Sequence, residues 1–115
     1  MTCNSAGVIV RYSTPTIQIN FNTIDPETIS EAYLVFKLAG AAVLTKDLTT
    51  ATVHAGTELD PGDWIAWTLS QSETGAMKVY SQLTAYCDWK LTDGTRGRSH
   101  SKVFQIVETG KDEVI

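Results

Sequence analysis

The residues best suited to acid–base or nucleophilic chemistry are few: two histidines, His54 and His100, and two cysteines, Cys3 and Cys87. Acyl transfer needs a Ser or Cys nucleophile beside a histidine that a carboxylate orients. The nearest approach is Cys87 with His100, which face each other if the segments flanking Asp93-Gly94 form a regular hairpin. Facing strand positions put Cβ atoms about 5 Å apart. No third group and no oxyanion-binding turn accompanies the pair, so it reads as two passive strand positions. No catalytic residue is expected. Glu58, Asp60 and Asp63 surround Pro61-Gly62 and could offer oxygens to a calcium ion. They lack the alternating ligand pattern of a dedicated loop, which leaves a solvated acidic turn, and no metal or other cofactor is expected. Two cysteines are too few for a disulfide framework and have no zinc-type spacing. Both read as free thiols, Cys87 as a small buried side chain.

Two further groupings bear on binding. Arg96, Arg98, His100 and Lys102 alternate along one segment. They could meet phosphates, but a charge-protected edge strand explains them more simply. Trp89 opposite Arg98 suggests a guanidinium stacked on an indole. Three tryptophans and four tyrosines raise the alternative of a carbohydrate-binding module. That function needs two or more coplanar exposed rings, drawn from Trp64, Trp89, Tyr80 and Tyr86.

The elements that must position these residues are short strands. In 115 residues there is room for one core, so a single domain over 1–115 is expected. With 43% hydrophobic and 19% charged residues the composition is that of a packed globular chain. A net charge of -4 argues against a nucleic-acid partner. No apolar run is long enough to span a bilayer, and the first residues lack the basic start and apolar stretch of a secretory signal. Neither a membrane partner nor export is expected.

Ile17, Ile19 and Phe21 alternate with Thr16, Gln18 and Asn20, the pattern of a half-buried strand. Segment 31–38 repeats it with Ala32, Leu34, Phe36 and Leu38 inward. Segment 63–69 does the same with Ile65, Trp67 and Leu69, which turns Trp64 outward. Weaker strands are expected over 8–12, 42–48 and 52–55, with turns at Asp25-Pro26, Ala39-Gly40 and Asp60-Pro61-Gly62. Ser70-Gln71-Ser72-Glu73 has capping-box spacing and could hold one helical turn between sheets. Seven or eight short strands around one core predict an all-β, immunoglobulin-like antiparallel β-sandwich.

The last hairpin gives the most specific expectation. Asp93-Gly94 suits a two-residue type I′ turn, which would pair Trp89 with Arg98, Cys87 with His100, Ala85 with Lys102, Leu83 with Phe104 and Ser81 with Ile106. Leu83, Val79, Phe104 and Ile106 then share an inner face. The outer face would carry Tyr80, Thr84, Tyr86, Val103 and Val107, with Gln82 and Gln105 between them. Aromatic residues with little charge mark an interface centre, so these five residues are the candidate protein-docking site. The competing expectation is that segment 109–115 folds over this face.

Four stretches carry a resemblance: Arg11-Tyr12-Ser13-Thr14-Pro15-Thr16-Ile17, Ser30-Glu31-Ala32-Tyr33-Leu34-Val35-Phe36, Leu69-Ser70-Gln71-Ser72-Glu73-Thr74 and Gly110-Lys111-Asp112-Glu113-Val114-Ile115. In order and spacing the chain resembles short prophage-encoded proteins of Gram-positive bacteria, which are similar to the immunoglobulin-like N-terminal domain of phage baseplate upper proteins. Glu113 stands where that family has a glycine. The resemblance implies a non-catalytic structural role in or on the phage tail or baseplate. The implied partners are other phage structural proteins or a second copy of the chain. It also implies location in the virion, and in the host cytoplasm during assembly.

Overall fold

The computed structural model describes residues 7–21 and 24–108. Nine strands are present among them: β1 (Val8–Val10), β2 (Thr16–Phe21), β3 (Ile29–Leu38), β4 (Ala41–Asp47), β5 (Thr52–His54), β6 (Asp63–Thr68), β7 (Gln82–Leu91), β8 (Arg96–Arg98) and β9 (Lys102–Val107). The larger sheet runs β1-β9-β7-β3-β4, with β8 paired to the far end of β7, and the smaller runs β2-β6-β5. All pairings are antiparallel except β1 with β9, which is parallel. Lettered in chain order, with β8 and β9 together as the last strand, the sheets are A-G-F-C-C′ and B-E-D. That is an immunoglobulin-like sandwich whose first strand sits at the G edge. The fold class is therefore as expected, with more strands than the pattern suggested and one parallel pair.

The alternation read from sequence sets the core. Ile17, Leu34, Phe36, Ile65, Trp67, Leu69, Phe104 and Ile106 are fully buried between the sheets, with Ile19, Leu83 and Cys87 beside them. Phe21 and Leu38 pack partly buried at its margin. Trp67 also bridges the layers, since its Nε1–H donates to the Asp47 carbonyl at 2.8 Å, at the end of β4 in the opposite sheet. One helical turn, α1 (Gln71–Gly75), crosses between β6 and β7 with the full capping box: Ser70 Oγ accepts from the Glu73 N–H and Glu73 Oε1 from the Ser70 N–H. Partial burial opposes the Glu73 charge. The Ser70 amide and the Lys46 ammonium at 2.9 Å outweigh it and hold the carboxyl below its ordinary range. Buried Thr74 donates its hydroxyl to the Ser13 carbonyl at 2.8 Å, which pins α1 to the entry of β2.

The final hairpin corrects the expected register. The loop has three residues: the Leu91 N–H donates to the Thr95 carbonyl at 2.7 Å, and the Gly94 N–H to the Leu91 carbonyl at 3.0 Å. Gly94 alone takes a positive φ, 94°, so the turn is of the three-residue class with a left-handed last position. Asp93 accepts from the Thr95 N–H at 2.8 Å, and that bond lowers its pKa. The tip pairs accordingly become Asp88–Arg98, Trp89–Gly97 and Lys90–Arg96. Past His100 the expected pairs return, Ala85 with Lys102 and Leu83 with Phe104, and the Ile106 N–H donates to the Ser81 carbonyl. The one-residue difference is absorbed as a bulge between β8 and β9, where Ser99 bonds both backbone groups of Cys87. Because β1 adds alongside β9, the edge here is β8 and not the whole basic segment.

Candidate functional site

The outward face of the larger sheet follows from the strand registers. One row holds Glu31, Lys90 and Arg96, and the next Asp47, Tyr33, Asp88 and Arg98. Below them come Thr45, Val35 and Tyr86, then Lys37, Thr84 and Val103. The last rows bring Gln82, Gln105 and Val8 together and set Val10 beside Val107. The face is thus divided. Charged side chains fill the end near β8, and an uncharged stripe fills the end where β1, β9 and the start of β7 meet.

The five candidate docking residues fall differently on this map. Val103 is exposed and Thr84 half-buried, both within the stripe, and Val107 is half-buried beside exposed Val10. Tyr80 is 77% exposed but precedes β7 rather than lying in it; at φ 61° its N–H donates to the Ile106 carbonyl. Tyr86 is not an exposed aromatic. The Arg98 guanidinium lies 4.1 Å from its ring centroid and the Lys37 ammonium 5.6 Å, and only 7% of the residue remains accessible. The sequence pattern missed Val8 and Val10, which are 45% and 38% exposed and complete the stripe. Their alternation with buried Ile9 was visible, but nothing local shows that this strand joins β9. Segment 109–115, the competing cover for the face, lies outside the described residues.

Arg98 is held on Tyr86 by Asp88, whose carboxylate accepts from both Nε and Nη2. That hydrogen bond raises the Arg98 pKa further. The expected Trp89–Arg98 stack is therefore replaced by Arg98 on Tyr86. Trp89 instead lies across Gly97, where an added Cβ would collide with the indole, and meets Phe21 edge-on at 6.4 Å. Trp64 stacks on His54 at 4.8 Å. The aromatic residues considered for sugar binding thus sit in separate settings rather than on one plane.

The sites considered for chemistry disperse as well. His100 is exposed in the bulge, and Cys87 is fully buried opposite Ser99. Burial pushes the Cys87 thiol up to about 12, with the Asp88 charge adding to the effect. In a Cys3→Ser background, Cys87 should resist a thiol reagent at pH 8 until the domain unfolds; prompt labelling of folded protein would contradict its burial. The folded thiol keeps its proton to higher pH than an ordinary thiol near 9.0. Its contribution to stability is present below pH 9 and is lost as pH rises toward 12. His54 bonds the Gly62 carbonyl at 2.7 Å and the Asp60 carboxylate at 2.9 Å, while Asp63 accepts from the Gly56 N–H. Asp60 and Asp63 are thus engaged by His54 of β5 and by the loop backbone, and no cluster of three metal-binding side chains occurs among the described residues.

No family model matches the chain, and no curated protein matches it. Among solved structures it is similar to murine CRIg, at 10% identity and a TM-score of 0.42 over 94% of this chain and 97% of that one. No helix among the described residues is long and apolar enough to cross a membrane.

Proposed function

We propose that this domain is a non-catalytic assembly module of a phage tail or baseplate, and that it docks on a protein partner through the uncharged stripe of its larger sheet. The stripe carries the reading. Thr84, Gln82, Val103, Gln105, Val107, Val8 and Val10 form a face without a single charge on a chain of net charge -4. An outward sheet face in water ordinarily alternates with charged and polar side chains. Depletion of charge at the centre with charged groups at the margin is the composition of a docking surface. Lys37 flanks the stripe, and the charged rows begin beyond Tyr86. The tail or baseplate setting is supported by the sequence resemblance alone, and the partner is another structural protein of the particle or a second copy.

The test is co-expression with the products of the genes on either side of its own, followed by gel filtration with mass measurement. Co-elution with a neighbouring tail or baseplate protein is expected. A chain that stays monomeric beside such neighbours, or whose neighbours have nothing to do with a phage particle, contradicts the proposal.

A further inference from the structure

At the other end of the same face, β3, β7 and β8 enclose a groove of about 600 Å³ lined by Glu31, Tyr33, Asp88, Lys90, Arg96 and Arg98, with Trp89 and Gly97 also on its wall. Its charges are arranged unusually. Asp88 and Arg98 are directly opposed and form the expected pair of unlike sign. One row on, Lys90 and Arg96 are directly opposed with like sign, an arrangement that destabilises a strand pair. Lys90 reaches Glu31 only at 3.8 Å, and Arg96 has no carboxylate partner among the described residues. The groove holds three cations against two carboxylates on a chain whose net charge is -4.

We infer that this groove binds an acidic saccharide, its carboxylate or phosphate held between Lys90 and Arg96. An oxyanion there replaces the repulsion of two facing cations with two charge-assisted hydrogen bonds. Glu31 and Asp88 line the same space; Asp88 accepts from Arg98 and Glu31 from the Tyr33 hydroxyl at 3.3 Å, and the lone pairs that these bonds leave over favour hydroxyl donors on the rest of the ligand. Tyr33, 39% exposed, directly opposite Asp88 and one row from Glu31, offers a ring for the sugar's C–H face. An acidic peptide suits the groove less, because carboxylates following the first would meet Glu31 and Asp88. The inference does not depend on the assembly role, since the stripe and the groove occupy opposite ends of the sheet.

Calorimetric titration of the full chain at low salt tests it with four probes: tri-galacturonate, glucose 6-phosphate, uncharged maltotriose and hexaglutamate. Tri-galacturonate or glucose 6-phosphate should bind at least about ten-fold more tightly than maltotriose, and the tighter of the two identifies the anion. Arg96→Gln should weaken that binding by about ten- to a hundred-fold, the range for losing a hydrogen bond to a charged group. Because Arg96 is exposed and directly faces Lys90, Arg96→Gln and Lys90→Gln should each unfold no lower than the parent, since either one removes the facing repulsion. Equal binding of maltotriose, undiminished binding by Arg96→Gln, no binding of either anionic sugar, or hexaglutamate binding as tightly as they do would each overturn the inference.

Discussion

Trp67→Ala should destabilise the domain by about 3–5 kcal/mol, while Trp64→Ala, three residues away, should cost no more than about half as much. Both residues lie on β6, and their difference is one of face. Trp67 is fully buried between the sheets, so truncation leaves a cavity that the surrounding Ile, Leu and Phe side chains can fill only in part. It also removes the donor to the Asp47 carbonyl, a bond that ties the smaller sheet to the end of β4. Losing it adds the cost of a poorly solvated acceptor. Trp64 is half-buried and stacks one face on His54, an aromatic contact worth about 0.5–1.5 kcal/mol beyond its area. Urea unfolding of the two variants, with the slope unchanged from the parent, gives the comparison directly. Equal costs would contradict this assignment of the two faces of β6.

Replacing Val8 and Val103 together with lysine should abolish association, by about a hundred-fold or more in affinity, without unfolding the domain. Both side chains point away from the core, at 45% and 52% exposure, and neither contributes to the buried cluster. Surface substitutions of this kind ordinarily change stability by about 0.5 kcal/mol or less. In an interface centre the same two ammonium groups would have to be desolvated against an uncharged partner surface, which costs several kcal/mol. Val107 is a poorer probe, since it is half-buried beside Val10. A double variant that assembles as the parent does would move the docking surface elsewhere.

How far the sequence was legible depends on the range of the interaction that decides each residue. Ile17, Ile19, Leu34, Phe36, Ile65 and Trp67 were assigned inward by period-two alternation alone, and the structure buries every one of them. The Ser70–Glu73 capping box is equally local and is present in full. The Asp93-Gly94 turn was harder, because Asp-Gly fits a two-residue loop and also the last two positions of a three-residue loop. The choice shifts the tip by one residue, turning Trp89 from Arg98 to Gly97 and Cys87 from His100 to Ser99. Alternation places Tyr86 on the outward face, but it says which way a side chain points and not what covers it. Its cover comes from Arg98 on β8 and Lys37 on β3, and the placement of Arg98 follows from the shifted register. The place of Val8 and Val10 in the stripe is not legible locally, because the pairing of β1 with β9 joins segments nearly a full chain length apart, in a parallel sense that no turn announces.

The docking stripe is most directly tested by hydroxyl-radical footprinting with mass spectrometry, comparing the free chain with its assembled form. Val8, Val10 and Val103 are accessible in the isolated domain, and Val53 and Leu59, exposed on β5 and in the loop after it, serve as internal references. Labelling of the three stripe valines should fall on assembly while Val53 and Leu59 keep their rates. Protection at Val53 and Leu59 with the stripe labelled as in the free chain would contradict the account and place the interface on the smaller sheet.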